Sequence, residues 1–136
     1  ALQSMEEVLK ADPEYANALN FVGYTLSDRG INLTEAEEKI KKALAKKPDD
    51  GYVRDSLGWV YFKKGDYRAA LAELLHAFQA LPDDPTIAEH IGDVYTALQQ
   101  KDKAIDYFKK SLSLEKKEDR KKQLEQKIRG LEERGK

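Results

Sequence analysis

Two histidines, His76 and His90, and no cysteine are the scarce chemical resources of this 136-residue chain. Without cysteine there are no disulfides, thiolate metal sites or cysteine nucleophiles, and the redox compartment stays open. The closest grouping of ligating types is Glu89, His90 and Asp93 in "AEHIGDV", three side chains within about one helical turn. Zinc centres draw three or four ligands, mostly thiolates or several imidazoles, so this trio does not predict a metal site. His76 lies in "ELLHAFQ", where a surface or packing role is expected. No serine has the context of a nucleophile elbow, and no glycine pattern forms a phosphate or dinucleotide loop. The carboxylates mostly alternate with lysines, as in "EAEEKIKKAL", which reads as solvated helix surface. The expectation is a protein that is not an enzyme and takes no cofactor.

The elements that carry these residues follow from composition and periodicity. Hydrophobic residues make up 40% and charged residues 36%, a mixture that suits helices with much solvated surface and is too apolar for disorder. The formal net charge of −1 gives no electrostatic reason to expect nucleic acid or an acidic membrane as partner. No apolar run approaches the roughly 18 residues of a membrane span, so direct membrane insertion is not expected.

Internal similarity organises the chain. Gly23, Gly58 and Gly92 are spaced 35 and 34 residues apart, and Pro13, Pro48 and Pro82 repeat at the same intervals. Val22, Leu57 and Ile91 precede the glycines, and Leu26, Tyr61 and Tyr95 follow three residues later. Ala36, Ala70 and Ala104 come next, each followed four residues on by Ile40, Leu74 or Phe108. Apolar residues recurring at three and four predict paired amphipathic helices, with glycine in the first and alanine in the second allowing close approach. Gly30 and Gly65 punctuate the turns; Thr34 with Glu37 predicts a capping box, and Asp66 a cap.

Leu57, Gly58, Tyr61, Ala70, Leu74, Ala77 and Pro82 resemble the tetratricopeptide repeat, whose signature is W-x2-L-G-x2-Y, then A-x3-F, then P. Arg54 stands at the signature tryptophan position, the first copy has one extra residue in "RGINLTEA", and the third has Gln99 and Lys116 in place of the turn glycine and closing proline. The resemblance implies an all-α, right-handed α-solenoid of antiparallel helix pairs. Residues 1–13 would be the second helix of a truncated repeat, with Ala1, Met5, Val8 and Pro13 in register. Residues 16–50, 51–84 and 85–116 would be three complete repeats, and 117–136 a capping helix and tail. A register that begins halfway through a repeat predicts a segment of a longer array. The tail carries Leu124, Ile128 and Leu131 at i, i+4, i+7; without a proline near Lys116, one long helix from Asp102 onward stays open. "GYTLSDRGINLTEAEEKIKKAL" and "DSLGWVYFKKGDY" look like the C-terminal arrays of bacterial multi-repeat proteins, which leaves periplasm or envelope and cytoplasm equally open.

In that family the first helix of each pair lines a concave groove. The resemblance places Asn17, Asn20, Tyr24, Tyr52, Asp55, Trp59, Phe62, Glu89, His90 and Asp93 there, with Trp59 as the candidate displayed anchor. Aromatics and amides in one region and carboxylates in the other predict a protein or peptide partner with apolar or aromatic anchors and some basic residues. Packing between helices competes as the role of Phe21, Phe62 and Trp59. The family's cationic clamp for a C-terminal carboxylate is missing, since Asn20, Tyr24, Ser56, Thr86 and His90 occupy its positions. Helical-hairpin repeats that read RNA share the architecture, but groove charges of Asp28, Asp55, Glu89 and Asp93 against Lys63 disfavour a phosphate backbone. The alternative function is self-association into a homo-oligomer through the first half-repeat and the C-terminal helix.

Overall fold

The computed structural model describes residues 2–134, and among these every regular element is an α-helix. Ala1 of the repeat register and the last two residues of the tail lie outside the described residues. The order is α1 (Leu2–Ala11), α2 (Ala16–Arg29), α3 (Leu33–Lys46), α4 (Gly51–Lys64), α5 (Tyr67–Ala80), α6 (Pro85–Ala97), α7 (Lys101–Leu114) and α8 (Glu118–Glu133). The chain divides into two compact units, Ala1–Ala80 and Leu81–Lys136. The first holds α1 and the pairs α2–α3 and α4–α5; the second holds the pair α6–α7 followed by α8.

Each pair is built on the spacing of glycine and bulky apolar residue seen in the sequence. A Cβ placed on Gly23 would lie 2.5 Å from Ile40 Cγ1, and one on Gly58 would lie 2.6 Å from Leu74 Cγ. In the second unit, a Cβ on Gly92 would lie 2.6 Å from the Phe108 ring. The helices therefore meet with a bulky side chain of the second resting on bare backbone of the first, an approach that only glycine permits. Ala36, Ala70 and Ala104, one turn earlier on the second helices, are fully buried. In the first unit this core extends through Leu19, Val22, Leu26, Val53, Leu57 and Val60, with Leu2, Met5 and Leu9 of α1 packed against it.

Arg54 replaces a large aromatic at the signature position by a different device. Its Nη1 donates to Glu73 Oε2 at 2.9 Å and its Nη2 to the Pro48 carbonyl at 3.0 Å. The guanidinium so ties α4 both to α5 and to the preceding loop, using its planar fork where an indole would use area.

Helix ends agree with the sequence at some points and correct it at others. Gly30 (φ 70°) and Gly65 (φ 88°) end α2 and α4 in the left-handed conformation, and their amides turn back onto the Ser27 and Phe62 carbonyls. Asp66 Oδ1 accepts from the Ala69 amide at 3.3 Å, as a cap should. The Thr34–Glu37 capping box does not form. Asn32, itself at φ 49°, is the N-cap of α3, so Thr34 already lies inside the helix. The extra residue of "RGINLTEA" displaces the cap, and Glu37 instead accepts from Lys64 Nζ at 2.8 Å and pairs with Lys41 at 2.7 Å. Asp50 and Asp84 are caps that sequence reasoning missed, accepting from the Tyr52 and Thr86 amides at 2.9 and 2.8 Å. The recurrent "PDDGY" and "PDDPT" were the available signal. At the C-terminal end the chain does not run on as one helix: α7 stops at Leu114 and α8 starts at Glu118.

Candidate functional site

The face of α2 and α4 anticipated as a groove is partly open and partly closed. Tyr52, on the first turn of α4, is 57% exposed. Asn17 is exposed and accepts from Lys47 Nζ at 2.9 Å. Asn20, Tyr24 and Phe62 are half-buried. Asn20 Oδ1 is shut off from solvent and has no hydrogen-bond partner. A buried carbonyl without a donor is destabilising by about 1–3 kcal/mol.

Trp59 is not displayed. Only 7% of it is exposed, its Nε1 donates to Asp28 Oδ1 at 3.1 Å, and its ring stacks on Phe62 at 4.8 Å. Lys63 Nζ sits 5.3 Å from the same ring. The indole is held on one edge by a carboxylate of α2 and on its face by a phenyl ring one turn along α4. It is a connector between the two helices rather than an anchor awaiting a partner. Asp55, also expected on the groove, is buried as well.

The second unit corrects the acidic half of the expected groove. Glu89 and His90 are buried, and the carboxylates of Glu89 and Asp93 are met by cations of the chain's own C-terminal helix. Lys127 Nζ lies 2.7 Å from Glu89 Oε2 and 2.9 Å from Asp93 Oδ1, while Arg120 pairs with Glu89 Oε1. Two members of the Glu89–His90–Asp93 trio thus converge on an ammonium group. Burial raises the Asp93 pKa above the ordinary aspartate value, against the pull of Lys127, and Glu89 beside it adds to the rise. Burial disfavours the Lys127 ammonium, but the charge of Asp93 and the hydrogen bonds to Glu89 and Asp93 outweigh it and raise its pKa. Leu124, Ile128 and Leu131 are buried on the same helix, and Lys127 also lies over the Phe108 ring at 5.3 Å. The basic residues that were to come from a partner are already present at Glu89 and Asp93. Sequence reasoning missed Arg120 and Lys127; their seven-residue spacing, one helical face, was the only signal.

The tetratricopeptide repeat family model matches residues 1–124. The TPR repeat-containing protein PA4667 of Pseudomonas aeruginosa is 41% identical over 86 residues, which are 63% of this chain and 14% of that protein. The chain therefore spans a small part of that curated relative. Among solved structures, two crystal structures of MamA are similar, with TM-scores of 0.69 and 0.68 at 27% and 28% identity. They cover 84% of this chain and 66% and 62% of theirs. Helix pairs with glycine under a bulky apolar side chain, the family match over 1–124 and the likeness to these structures agree on fold class and on a general role as a protein-interaction scaffold. The chain belongs to the tetratricopeptide repeat family.

Proposed function

We propose that the α2–α4 face binds a protein segment bearing an apolar or aromatic anchor, with Asn17, Asn20, Tyr24, Tyr52 and Phe62 as the binding residues. The observation that carries this reading is the orphaned Asn20 Oδ1 on the face where Tyr52 stands exposed. If the half-buried Asn20 side chain turns its amide outward, a peptide backbone N–H or a side-chain donor would satisfy that oxygen while the Tyr52 phenol covers apolar surface of the ligand. Basic residues are not required of this partner, because the carboxylates of Glu89 and Asp93 that called for them are neutralised by α8. As a segment of a larger scaffold, the chain would act as an adaptor through this face.

Selection of peptides from a random display library against the intact chain tests the reading. Selected peptides should lose at least tenfold in affinity for Tyr52→Ala and for Asn20→Ala, with unchanged melting of the Tyr52 variant. Peptides that bind both variants as they bind the wild type would show that this face is not the site.

A further inference from the structure

The junction between α7 and α8 differs from its counterparts. Three other connections lead from a second-type helix into a first-type helix, and each contains a proline: Pro13, Pro48 or Pro82. The fourth is Glu115-Lys116-Lys117, with neither proline nor glycine. Glu115 (φ −75°, ψ 138°) and Lys117 (φ −87°, ψ 124°) are extended, with the Lys117 amide donating to Glu115 Oε1 at 3.3 Å in an exposed contact. Both residue types are good helix formers, and no left-handed residue or missing amide enforces a break. Beyond that one exposed hydrogen bond, what separates α7 from α8 is the docking of α8: the buried stripe of Leu124, Ile128 and Leu131, and the ion pairs of Arg120 and Lys127 with Glu89 and Asp93.

We propose that the face of α6 and α7 under α8 is an exchangeable docking site, whose second occupant is α8 of another copy of this chain. When Glu115–Lys117 become helical, α7 and α8 fuse into one rod of about 50 Å at roughly 1.5 Å per residue. A straight rod carries α8 away from its own face, leaving Glu89 and Asp93 without their cations and an apolar strip uncovered. The complementary surface is the α8 of a second copy, whose own face is vacated by the same change. The ion pairs and apolar burial that α8 gives up in its own chain are restored on the other, and the three junction residues gain helical hydrogen bonds. The exchange is reciprocal and closes as a two-fold dimer. The exchange does not involve the α2–α4 face and stands or falls separately from peptide binding there.

Thr96 and Gln126 line one cleft between α6 and α8 and lie outside the ion-pair cluster. The chain has no cysteine, so Thr96→Cys in one preparation and Gln126→Cys in another give unique thiols. The two are mixed from micromolar to millimolar concentration, treated with a short bismaleimide, and mapped for a 96–126 link between chains. The expected result is an inter-chain link that increases with concentration, together with a dimer in light scattering. Lys116→Pro restores the breaker of the other junctions and is compatible with the extended backbone of Glu115, which a following proline requires. Placed in both chains, it should abolish the inter-chain link. Lys116→Gly, which weakens a fused helix without a ring, should reduce it severalfold. Absence of the link at millimolar concentration would overturn the proposal. So would a link that survives both substitutions at the wild-type level.

Discussion

Replacing Gly92 by alanine adds one methyl group where the space is already taken. The new Cβ would sit 2.6 Å from Phe108 Cδ1 and Cε1 and 2.9 Å from Cζ, whereas carbon atoms rest at about 3.5–4.0 Å. Phe108 is buried and cannot swing into solvent, so ring and helix must part by about 1 Å. Overpacking of this kind is destabilising by about 1–3 kcal/mol, and the better helix propensity of alanine returns about 1 kcal/mol. A 2.6 Å approach to a buried aromatic ring puts the cost in the upper part of that range, about 2–3 kcal/mol, so the expected net loss is about 1–2 kcal/mol. Gly130 in α8 is the internal control: a Cβ there has nothing within 4 Å, so Gly130→Ala should be stabilising by about 0.5–1 kcal/mol. Calorimetry and urea unfolding of the intact chain measure both, and in a unit of this size about 1 kcal/mol corresponds to roughly 4–8 °C. Adding Phe108→Leu to Gly92→Ala should recover about 1 kcal/mol relative to the sum of the single changes, because the two side chains share one space. A Gly92→Ala protein as stable as the wild type would refute the close-approach account of the helix pairs. So would equal effects at positions 92 and 130.

Three other perturbations address the charged and aromatic contacts. Lys127→Met should be destabilising for α8 by about 1 kcal/mol, a modest figure because the lysine is partly solvated, and faster amide exchange confined to α8 would report it. The folded pKa of Lys127 is raised, so its contribution is present below the ordinary value of 10.5 and lost as pH rises through the folded value; the Met variant should lack that alkaline loss. The Glu37 pKa is lowered by its hydrogen bonds to Lys41 and Lys64, so its contribution is present above the ordinary value of 4.5 and fades as pH falls through the folded value. Glu37→Gln should remove that part of the acid dependence of unfolding, and an identical pH profile would contradict it. Asp28→Ala should be destabilising by about 1–2 kcal/mol and should shift the emission of Trp59, the only tryptophan, to longer wavelength, because water takes the place of the carboxylate at its indole N–H.

The architecture was legible because packing imposes a period. A helix pair needs a gap in one helix and a bulky side chain in the other at an offset that only the turn length varies, so Gly23–Ile40, Gly58–Leu74 and Gly92–Phe108 wrote that need into the sequence three times. The turn glycines were readable for the same local reason, since a left-handed residue at Gly30 or Gly65 excludes most side chains. The Thr34–Glu37 box misled because a one-residue insertion moves the cap while leaving the motif's letters intact.

The candidate site was far less legible. Repeat register assigns Trp59 and Tyr52 to the same helix face, and only three-dimensional proximity separates them. Asp28 lies within 3.1 Å of the indole nitrogen and draws Trp59 inward, while Tyr52 stays on the surface. Glu89 and Asp93 read as charges offered to a partner because a sequence carries no record of which distant cation will face them. Arg120 and Lys127 lie more than 30 residues away, and α8 turns back to place them there. Sequence alone determined the helix pairs, their spacing and their family, because these depend on packing repeated at nearly the same offset. Only the tertiary structure decided which charges are satisfied and which aromatics, Tyr52 most of all, are left exposed, because each of those pairings occurs once, between residues that no period relates.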